Sequence, residues 1–355
     1  MAVHFHPLRV KEIIRETADC VSICFEIPEA LQQDFVFKEG QNITLKKDID
    51  GEECRRSYSI CSAPHEGMIK VAVKKVAGGK FSSYANEVLA ANEILEVMPP
   101  TGRFNVKATE GHYLMIAAGS GITPILSIIK HILHSQPKAI VTLVYGNQNR
   151  KGIIFFEALE ALKNIYMQRF SCIYTFSQEH TDSDINYGRI RSEKLEALSH
   201  IIPYSSLAEV FICGPEEMIF SSAAYLEKAG LAKEKIHFEL FTTPGAAAKQ
   251  TAKQHIITDD TPKAKVIIKL DGRSTELAVA FEGDSILDVA LKSGADLPFA
   301  CKGGVCCTCR AKLVSGAVKM DVNYALEKEE VEQGFILTCQ SHPTTEEVII
   351  DFDVK

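Results

Sequence analysis

The sequence predicts three domains: an antiparallel β-barrel, a doubly wound α/β domain with a parallel sheet, and a small C-terminal α+β domain. Its 355 residues exceed the usual size of one domain. Short β segments come first, alternating strands and helices follow, and short strands around a cysteine-rich loop end the chain. We expect domains at residues 1–106, 107–241 and 265–355, with 242–264 as a linker.

Composition and charge exclude several classes of protein. Hydrophobic residues make up 46% and charged residues 24%, as in ordinary globular proteins. The net charge of -7 argues against nucleic-acid binding by bulk electrostatics. No apolar run approaches the roughly 18 residues of a membrane-spanning helix, and the first residues lack the apolar core of a signal peptide. We therefore predict a cytoplasmic protein whose eleven cysteines are thiols and ligands rather than disulfides.

The first domain reads as a series of short β segments separated by turn residues. The sequence predicts strands at Val21–Phe25, Asn42–Leu45, Tyr58–Cys61, Ile69–Val76 and Ile94–Met98, and one helix at Ser82–Leu89. Such a series is typical of a small antiparallel barrel.

Two motifs of the barrel suit a flavin. One supplies a cation for phosphate, a flat aromatic ring and a small hydroxyl, in the run Arg56, Ser57, Tyr58 and Ser59. An exposed strand would explain this short run equally well. The second motif is a Gly-rich turn that opens a helix and suits a pyrophosphate, at Gly78, Gly79, Lys80, Phe81 and Ser82. We also assign Val73 to the flavin site.

The second domain alternates apolar strands with helical segments, which predicts a parallel doubly wound sheet. The segments are Tyr113–Ala118, Ile125–Leu133, Ile140–Tyr145, Phe155–Leu162, Phe170–Phe176, Glu193–Leu198, Val210–Cys213, Glu217–Ala229 and Lys235–Phe241.

Candidate nicotinamide-binding residues follow three of these strands. The first group, after the first strand, is Gly119, Gly121, Thr123 and Pro124. Its two glycines let a pyrophosphate approach a helix N-terminus. Pro124 stands where ordinary dehydrogenases have the last Gly of Gly-x-Gly-x-x-Gly. The other two groups are Tyr145, Gly146 and Asn147, and Cys213, Gly214 and Pro215. A buried thiol at a strand end is the structural alternative for Cys213.

The third domain contains a cysteine loop with an informative spacing. Four residues separate Cys301 from Cys306, two separate Cys306 from Cys309, and Cys339 lies thirty residues later. This is the ligand spacing of a plant-type 2Fe–2S cluster. A structural zinc site and reactive thiols are the alternatives, but zinc usually takes two short Cys-x2-Cys knuckles. The domain also carries fifteen acidic and ten basic residues, and so most of the net negative charge.

These motifs identify two resemblances. Residues 265–355 resemble plant-type ferredoxins along their whole length, which implies a β-grasp fold and leaves Cys307 outside the ligand set. The preceding residues resemble the ferredoxin–NADP reductase superfamily, which implies FAD rather than FMN. Within that superfamily the chain is most similar to the family of phenylacetyl-CoA epoxidase reductase subunits.

The resemblance implies a route for electrons. NAD(P)H would reduce the flavin beside Tyr58, Ser59 and Cys213, and the cluster would pass single electrons to a di-iron oxygenase component. NADPH-preferring relatives often have an Arg where this chain reads Ser177-Gln178-Glu179, so the coenzyme preference stays open. Also open are another acceptor (a ring-hydroxylating dioxygenase or a hybrid-cluster protein), a redox carrier or sensor, and a zinc-stabilised module fused to a flavin reductase.

Overall fold

A computed structural model describes residues 4–241 and 262–354. They form an antiparallel sheet, a parallel sheet and a mixed sheet in chain order, which confirms the predicted fold class. The predicted linker lies outside the described residues as far as residue 261. Its last two residues lie in a strand that begins at Lys263.

The first sheet closes into a barrel. Its strands are β1 (His6–Thr17), β2 (Cys20–Glu26), β3 (Asn42–Ile49), β4 (Glu52–Ser59), β5 (Ile69–Lys74) and β6 (Ile94–Val97). They lie in the order β4-β3-β6-β1-β2-β5, and an antiparallel bridge from Ile60 to Val71 joins the two ends of that order. Helix α1 (Lys80–Glu87) follows β5. The strand interiors form one apolar cluster that includes Ile23 and Leu45.

Two barrel strands differ from the prediction. β1 was not predicted at all, because charged residues interrupt it and much of its length is exposed. β4 begins at Glu52 and ends at Ser59, earlier at both ends than the predicted Tyr58–Cys61. Its first residues are polar and exposed, so they lack the apolar pattern that marks a buried strand.

The second domain is a five-stranded parallel sheet flanked by helices. Its strands are β7 (His112–Ala118), β8 (Ile140–Asn147), β9 (Phe170–Phe176), β10 (Glu209–Cys213) and β11 (Ile236–Glu239). Its helices are α2 (Ile122–Ser135), α3 (Phe156–Ile165), α4 (Ser192–Leu198) and α5 (Glu216–Lys228). In the order β11-β10-β7-β8-β9, all strands are parallel, but successive strands are added on one side of β7 first and then on the other side, beginning with β10. Ligands of such sheets bind at the carboxyl ends of the strands beside that change of side.

Helix α2 packs the barrel against the parallel sheet. The Ser127 hydroxyl donates to the main-chain oxygen of Ser62 at 2.6 Å, and the Lys130 ammonium pairs with Glu66 at 2.9 Å. The barrel thiols Cys20 and Cys61 belong to the apolar cluster of the parallel sheet. Residues 7–54 and 58–241 accordingly form one compact unit.

The third domain has the predicted β-grasp architecture. A five-stranded mixed sheet, in the order β13-β12-β18-β14-β16, contains β12 (Lys263–Leu270), β13 (Arg273–Ala280), β14 (Arg310–Ser315), β16 (Phe335–Leu337) and β18 (Glu347–Asp351). The remaining elements are α6 (Ile286–Lys292), α7 (Lys328–Glu332) and the strand pair β15 (Val318–Met320) and β17 (Ser341–Pro343). Ile286 and Leu287 of α6 are buried against the sheet. Among the described helices of the chain, none is long and apolar enough to cross a membrane.

Candidate functional site

The end of β4 carries the first group of predicted flavin-binding residues. Arg56 is exposed, and its guanidinium donates to the main-chain oxygen of Arg55 at 2.7 Å. The Tyr58 ring lies 5.6 Å from the Phe81 ring, at an interplanar angle of 35°. Because Phe81 is in the first turn of α1, this contact brings the Gly-rich turn to the end of β4.

The Gly-rich turn has the form of an anion site. The Ser82 hydroxyl accepts from the main-chain N–H of Val76 and donates to the main-chain oxygen of Gly79, both at 3.1 Å. Helix α1 then starts without a side-chain cap, so no side chain competes with a phosphate for its first N–H groups. The Lys80 ammonium forms an ion pair with Glu52 at the start of β4.

Two of the predicted flavin residues lie in the barrel core. Val73 has no exposed surface and Phe81 almost none, and both belong to the apolar cluster of the barrel. Their side chains stabilise the barrel, so a bound flavin would meet these residues through main-chain atoms alone.

The three nucleotide motifs converge at the carboxyl edge of the parallel sheet. The register pairs Cys213 with Ala117, and Ala117 in turn with Tyr145. The Tyr145 hydroxyl donates to the main-chain oxygen of Gly119 at 2.9 Å, and the Thr123 hydroxyl donates to that of Ser120 at 3.0 Å. Segments far apart in sequence thus form one crevice at the strand ends.

Gly121 is required by close packing of the main chain. A Cβ at this position would lie 2.1 Å from the carbonyl oxygen of Cys213 and 2.9 Å from the main-chain nitrogen of Gly214. Real Cβ atoms do not approach so closely, so any side chain here would push β10 away from α2. The Asn147 amide lies beside the Tyr145 hydroxyl at the same strand ends. The N-terminus of α2 has no capping side chain, which fits a phosphate-bearing ligand.

Sequence reasoning missed an acidic residue beside Cys213. Glu239 ends β11 and is the register partner of Cys213. Its carboxylate accepts from the Ser59 hydroxyl at 2.9 Å. Burial raises the pKa of Glu239 to about 7, against the opposing effect of the Ser59 hydrogen bond. Burial also raises the pKa of the Cys213 thiol well above its usual value, and the nearby Glu239 adds to that rise.

The region where relatives carry an Arg is occupied by an internal contact. The Glu179 carboxylate accepts from the main-chain N–H of Arg150 at 2.8 Å. The Arg191 guanidinium pairs with Glu217 at 2.8 Å. These contacts leave the choice between NADH and NADPH open.

The four predicted metal ligands form two pairs. The Cys306 and Cys301 sulfurs lie 3.2 Å apart, and the Cys309 thiol donates to Cys339. No three side chains of ligating type converge on one point anywhere in residues 4–241 and 262–354. Two sulfurs for each metal suit the two irons of a 2Fe–2S cluster. A structural zinc ion takes four ligands around one point.

One cysteine of each pair is stabilised as a thiolate by its partner, while the pKa of the partners Cys306 and Cys309 is raised. The pKa of Cys301 is lowered to about 6 by a hydrogen bond from Cys306 and by main-chain N–H groups, among them that of Gly303 at 3.3 Å. The pKa of Cys339 is lowered by a hydrogen bond from Cys309. Cys307 points elsewhere and donates to the main-chain oxygen of Ala325 at 3.2 Å. The donor set fits iron and sulfide, and Cys307 lies outside it.

Gly304 gives the loop its tight curvature. Its φ is +74°, and a Cβ there would lie 3.0 Å from Val322 Cγ2 and 3.1 Å from Gln340 Cγ. Both constraints favour glycine.

Comparison with known proteins adds family information. Three family models match the chain. They are the oxidoreductase FAD-binding domain at residues 7–106, the oxidoreductase NAD-binding domain at residues 115–223, and the 2Fe-2S iron-sulfur cluster binding domain at residues 268–344. The chain is an oxidoreductase with sites for FAD, a nicotinamide nucleotide and a 2Fe–2S cluster, which confirms the predicted cofactors.

Two relatives align with this chain over almost their whole length. The chain is 44% identical to a subunit of the 1,2-phenylacetyl-CoA epoxidase of Escherichia coli, over 99% of this chain and 98% of the relative. It is 32% identical to the ferredoxin reductase component of 3-ketosteroid-9-alpha-monooxygenase of Rhodococcus rhodochrous, over 97% and 96%. The solved structure of phthalate dioxygenase reductase aligns over 98% of both chains with a TM-score of 0.60 at 21% identity, which supports the fold.

The ligand set is tested by two adjacent serine substitutions. We expect Cys306→Ser to lose the cluster, because it removes one sulfur of a pair. Cys307→Ser should keep about two irons per chain, because its side chain faces Ala325. Iron and zinc analysis of the purified proteins, with visible spectra, measures both. Loss of iron from Cys307→Ser, or zinc in place of iron in the wild type, would contradict the assignment.

The cluster loop is tested by two alanine substitutions at glycines of similar φ. Gly304 and Gly294 have φ of +74° and +85°, but only Gly304 has close neighbours. Each alanine should cost about 1 kcal/mol of stability through its backbone conformation. Only Gly304→Ala should also lower iron content. Equal iron content in the two variants would show that close packing at Gly304 is unimportant for the cluster.

Glu239 is tested by the pH dependence of NAD(P)H oxidation with ferricyanide. A nicotinamide bound at this strand end would gain positive charge when hydride leaves, and the Glu239 carboxylate would stabilise that charge. Because the pKa is about 7, the wild-type rate should rise from pH 6 to pH 8. In Glu239→Gln this rise should disappear.

A stability measurement gives an independent check on Glu239. The folded chain binds this proton more tightly than the unfolded chain, whose pKa is near 4.5. The free energy of unfolding should therefore fall as the pH rises from 4.5 to 7, and fall less in Glu239→Gln. Identical pH profiles of wild type and variant in both assays would rule out the titration.

Proposed function

This chain belongs to the ferredoxin–NADP reductase superfamily, in the group with a C-terminal plant-type 2Fe–2S domain, and we propose that it is the reductase component of a multicomponent di-iron oxygenase acting on phenylacetyl-CoA. The likeness to the Escherichia coli epoxidase subunit carries the proposal, because it runs end to end and is the strongest among the relatives described above. The substrate is bound by the oxygenase, so this chain needs sites for NAD(P)H and for the oxygenase alone.

Different residues of the crevice are assigned to different parts of the bound cofactors. A bound FAD would supply a two-electron acceptor for one hydride from the nicotinamide, and a 2Fe–2S cluster would supply one-electron transfer. We assign Arg56 and the N-terminus of α1 to the flavin phosphates, and Gly119 and Gly121 to the nucleotide pyrophosphate. Tyr58 orients the flavin ring.

Ser59, Cys213 and Glu239 form the polar end of the crevice. The Ser59 hydroxyl and the Glu239 carboxylate share a hydrogen bond, and the carboxyl holds its proton below about pH 7. Cys213 is completely buried beside them, so its neutral thiol contributes packing and excludes water.

Another oxygenase is the second candidate partner. It is favoured by the 32% identical relative, whose name assigns it to a 3-ketosteroid monooxygenase. The two candidates share the reductase chemistry and differ only in the protein that receives the electrons.

Reconstitution tests the choice of partner. We expect this protein, with NAD(P)H, to support phenylacetyl-CoA epoxidation by the Escherichia coli enzyme when the subunit that resembles this chain is left out of the mixture. Cys306→Ser is the matched control: it should still reduce ferricyanide, because the flavin and nucleotide sites are intact, but should support no epoxidation. Product is measured by chromatography of the CoA esters.

Two outcomes would contradict the proposal. Full epoxidation with Cys306→Ser would mean that electrons leave the protein without the cluster. No epoxidation with the wild type, while it does drive the 3-ketosteroid oxygenase, would replace the proposed partner with the second candidate.

A further inference from the structure

Gln340 follows the fourth cluster cysteine, and its main chain is fixed on both sides. Its N–H donates to the carbonyl oxygen of Leu337 at 2.9 Å, and its carbonyl accepts from the N–H of Asp321 at 2.9 Å. Its side chain is therefore directed by the fold toward the cluster loop.

The Gln340 side-chain amide contacts both separated parts of the cluster site. Its nitrogen donates to the carbonyl oxygen of Lys302 at 3.0 Å and to that of Cys339 at 2.9 Å. The same nitrogen lies 3.7 Å from the Cys339 sulfur, so one of its two N–H groups is shared between the Cys339 carbonyl and that sulfur. One side chain thus links a ligand from the end of the domain to the loop that carries the other three.

The residues that Gln340 contacts are the constrained ones of the loop. Lys302 has a left-handed backbone, with φ of +51°, which is unfavourable for a residue with a Cβ. Its ammonium is held by Asp288 at 2.9 Å and its carbonyl by Gln340. The Gln340 stem also packs on Gly304, where an added Cβ would lie 3.1 Å from Gln340 Cγ.

We propose that Gln340 is a positioning residue of the cluster, which holds Cys339 against the cysteine loop and raises the reduction potential by donating an N–H to its sulfur. Hydrogen bonds to cluster sulfurs are among the determinants of the potential. Reduction adds one negative charge to the cluster, and a donor stabilises the more negative state. The inference rests on the proposed function only in needing a 2Fe–2S cluster.

Substitution by methionine removes the donor at nearly constant volume. We expect Gln340→Met holoprotein to have a lower cluster midpoint potential, by up to a tenfold change in the reduction equilibrium, or about 59 mV for one electron. Gln333→Met is the matched control, since Gln333 is an exposed glutamine of the same domain near the end of α7. It should have the wild-type potential. Anaerobic redox titration followed by visible absorption and electron paramagnetic resonance measures each.

Substitution by glutamate gives a second, independent readout. In Gln340→Glu the carboxylate cannot donate and adds negative charge, so the potential should be low at high pH. At low pH the protonated acid regains a donor, so the potential should rise. Nearby charges are Lys302 with Asp288 and His342 with Asp321, which both proteins share, so they cancel in the difference from wild type.

The outcomes separate this inference from the proposed function. Absence of iron from the wild type would refute the cluster itself. With iron present, wild-type potentials in both Gln340 variants at every pH would overturn the role of Gln340. If Gln340→Met retains no iron, the pH dependence of Gln340→Glu decides alone: a potential that follows protonation supports the role, and a constant wild-type potential refutes it.

Discussion

The contact of Gly121 with the main chain of Cys213 is the constraint on which the nucleotide site depends. It lets the start of α2 lie directly against the end of β10, where any side chain would separate them. Parallel pairing then places Tyr145 on one side of the crevice and Glu239 on the other. Because Glu239 accepts from Ser59 of the barrel, the same arrangement joins the end of the parallel sheet to the predicted flavin residues of the barrel.

A different constraint shapes the iron site. Four sulfurs must be presented as two pairs, three of them from a single short loop, so the main chain of that loop turns sharply at Lys302 and Gly304. The cost of the left-handed Lys302 is offset by contacts to its carbonyl and its ammonium. The Thr338 hydroxyl and N–H both donate to the carbonyl of Cys309, so the fourth ligand segment is tied to the loop at more than one point.

The parts of the site that short motifs encode could be predicted from the sequence. The cysteine spacing, the glycines before α2 and the order of the domains all depend on local chain geometry, and motifs record local geometry. Neither Glu239 nor Gln340 could be predicted in this way, because each contacts a partner that is remote in sequence. Glu239 reads as an ordinary charged residue at the end of a short strand, and its role follows only from β10–β11 pairing and Ser59. β1 was not predicted for a related reason, since charged residues on its exposed face mask the alternation of apolar and polar residues. Val73 and Phe81 illustrate the converse, because a motif position does not reveal which way a side chain points.

The central claim is that one chain accepts electrons in pairs and releases them singly, and an anaerobic reductive titration tests it most directly. FAD takes about two electrons and a 2Fe–2S cluster about one. We therefore predict that the holoprotein takes up about three electrons per chain, and that Cys306→Ser takes up about two, with the missing absorbance change that of the cluster. Uptake of only about two electrons by an iron-loaded wild type, or equal uptake by both proteins, would contradict the account.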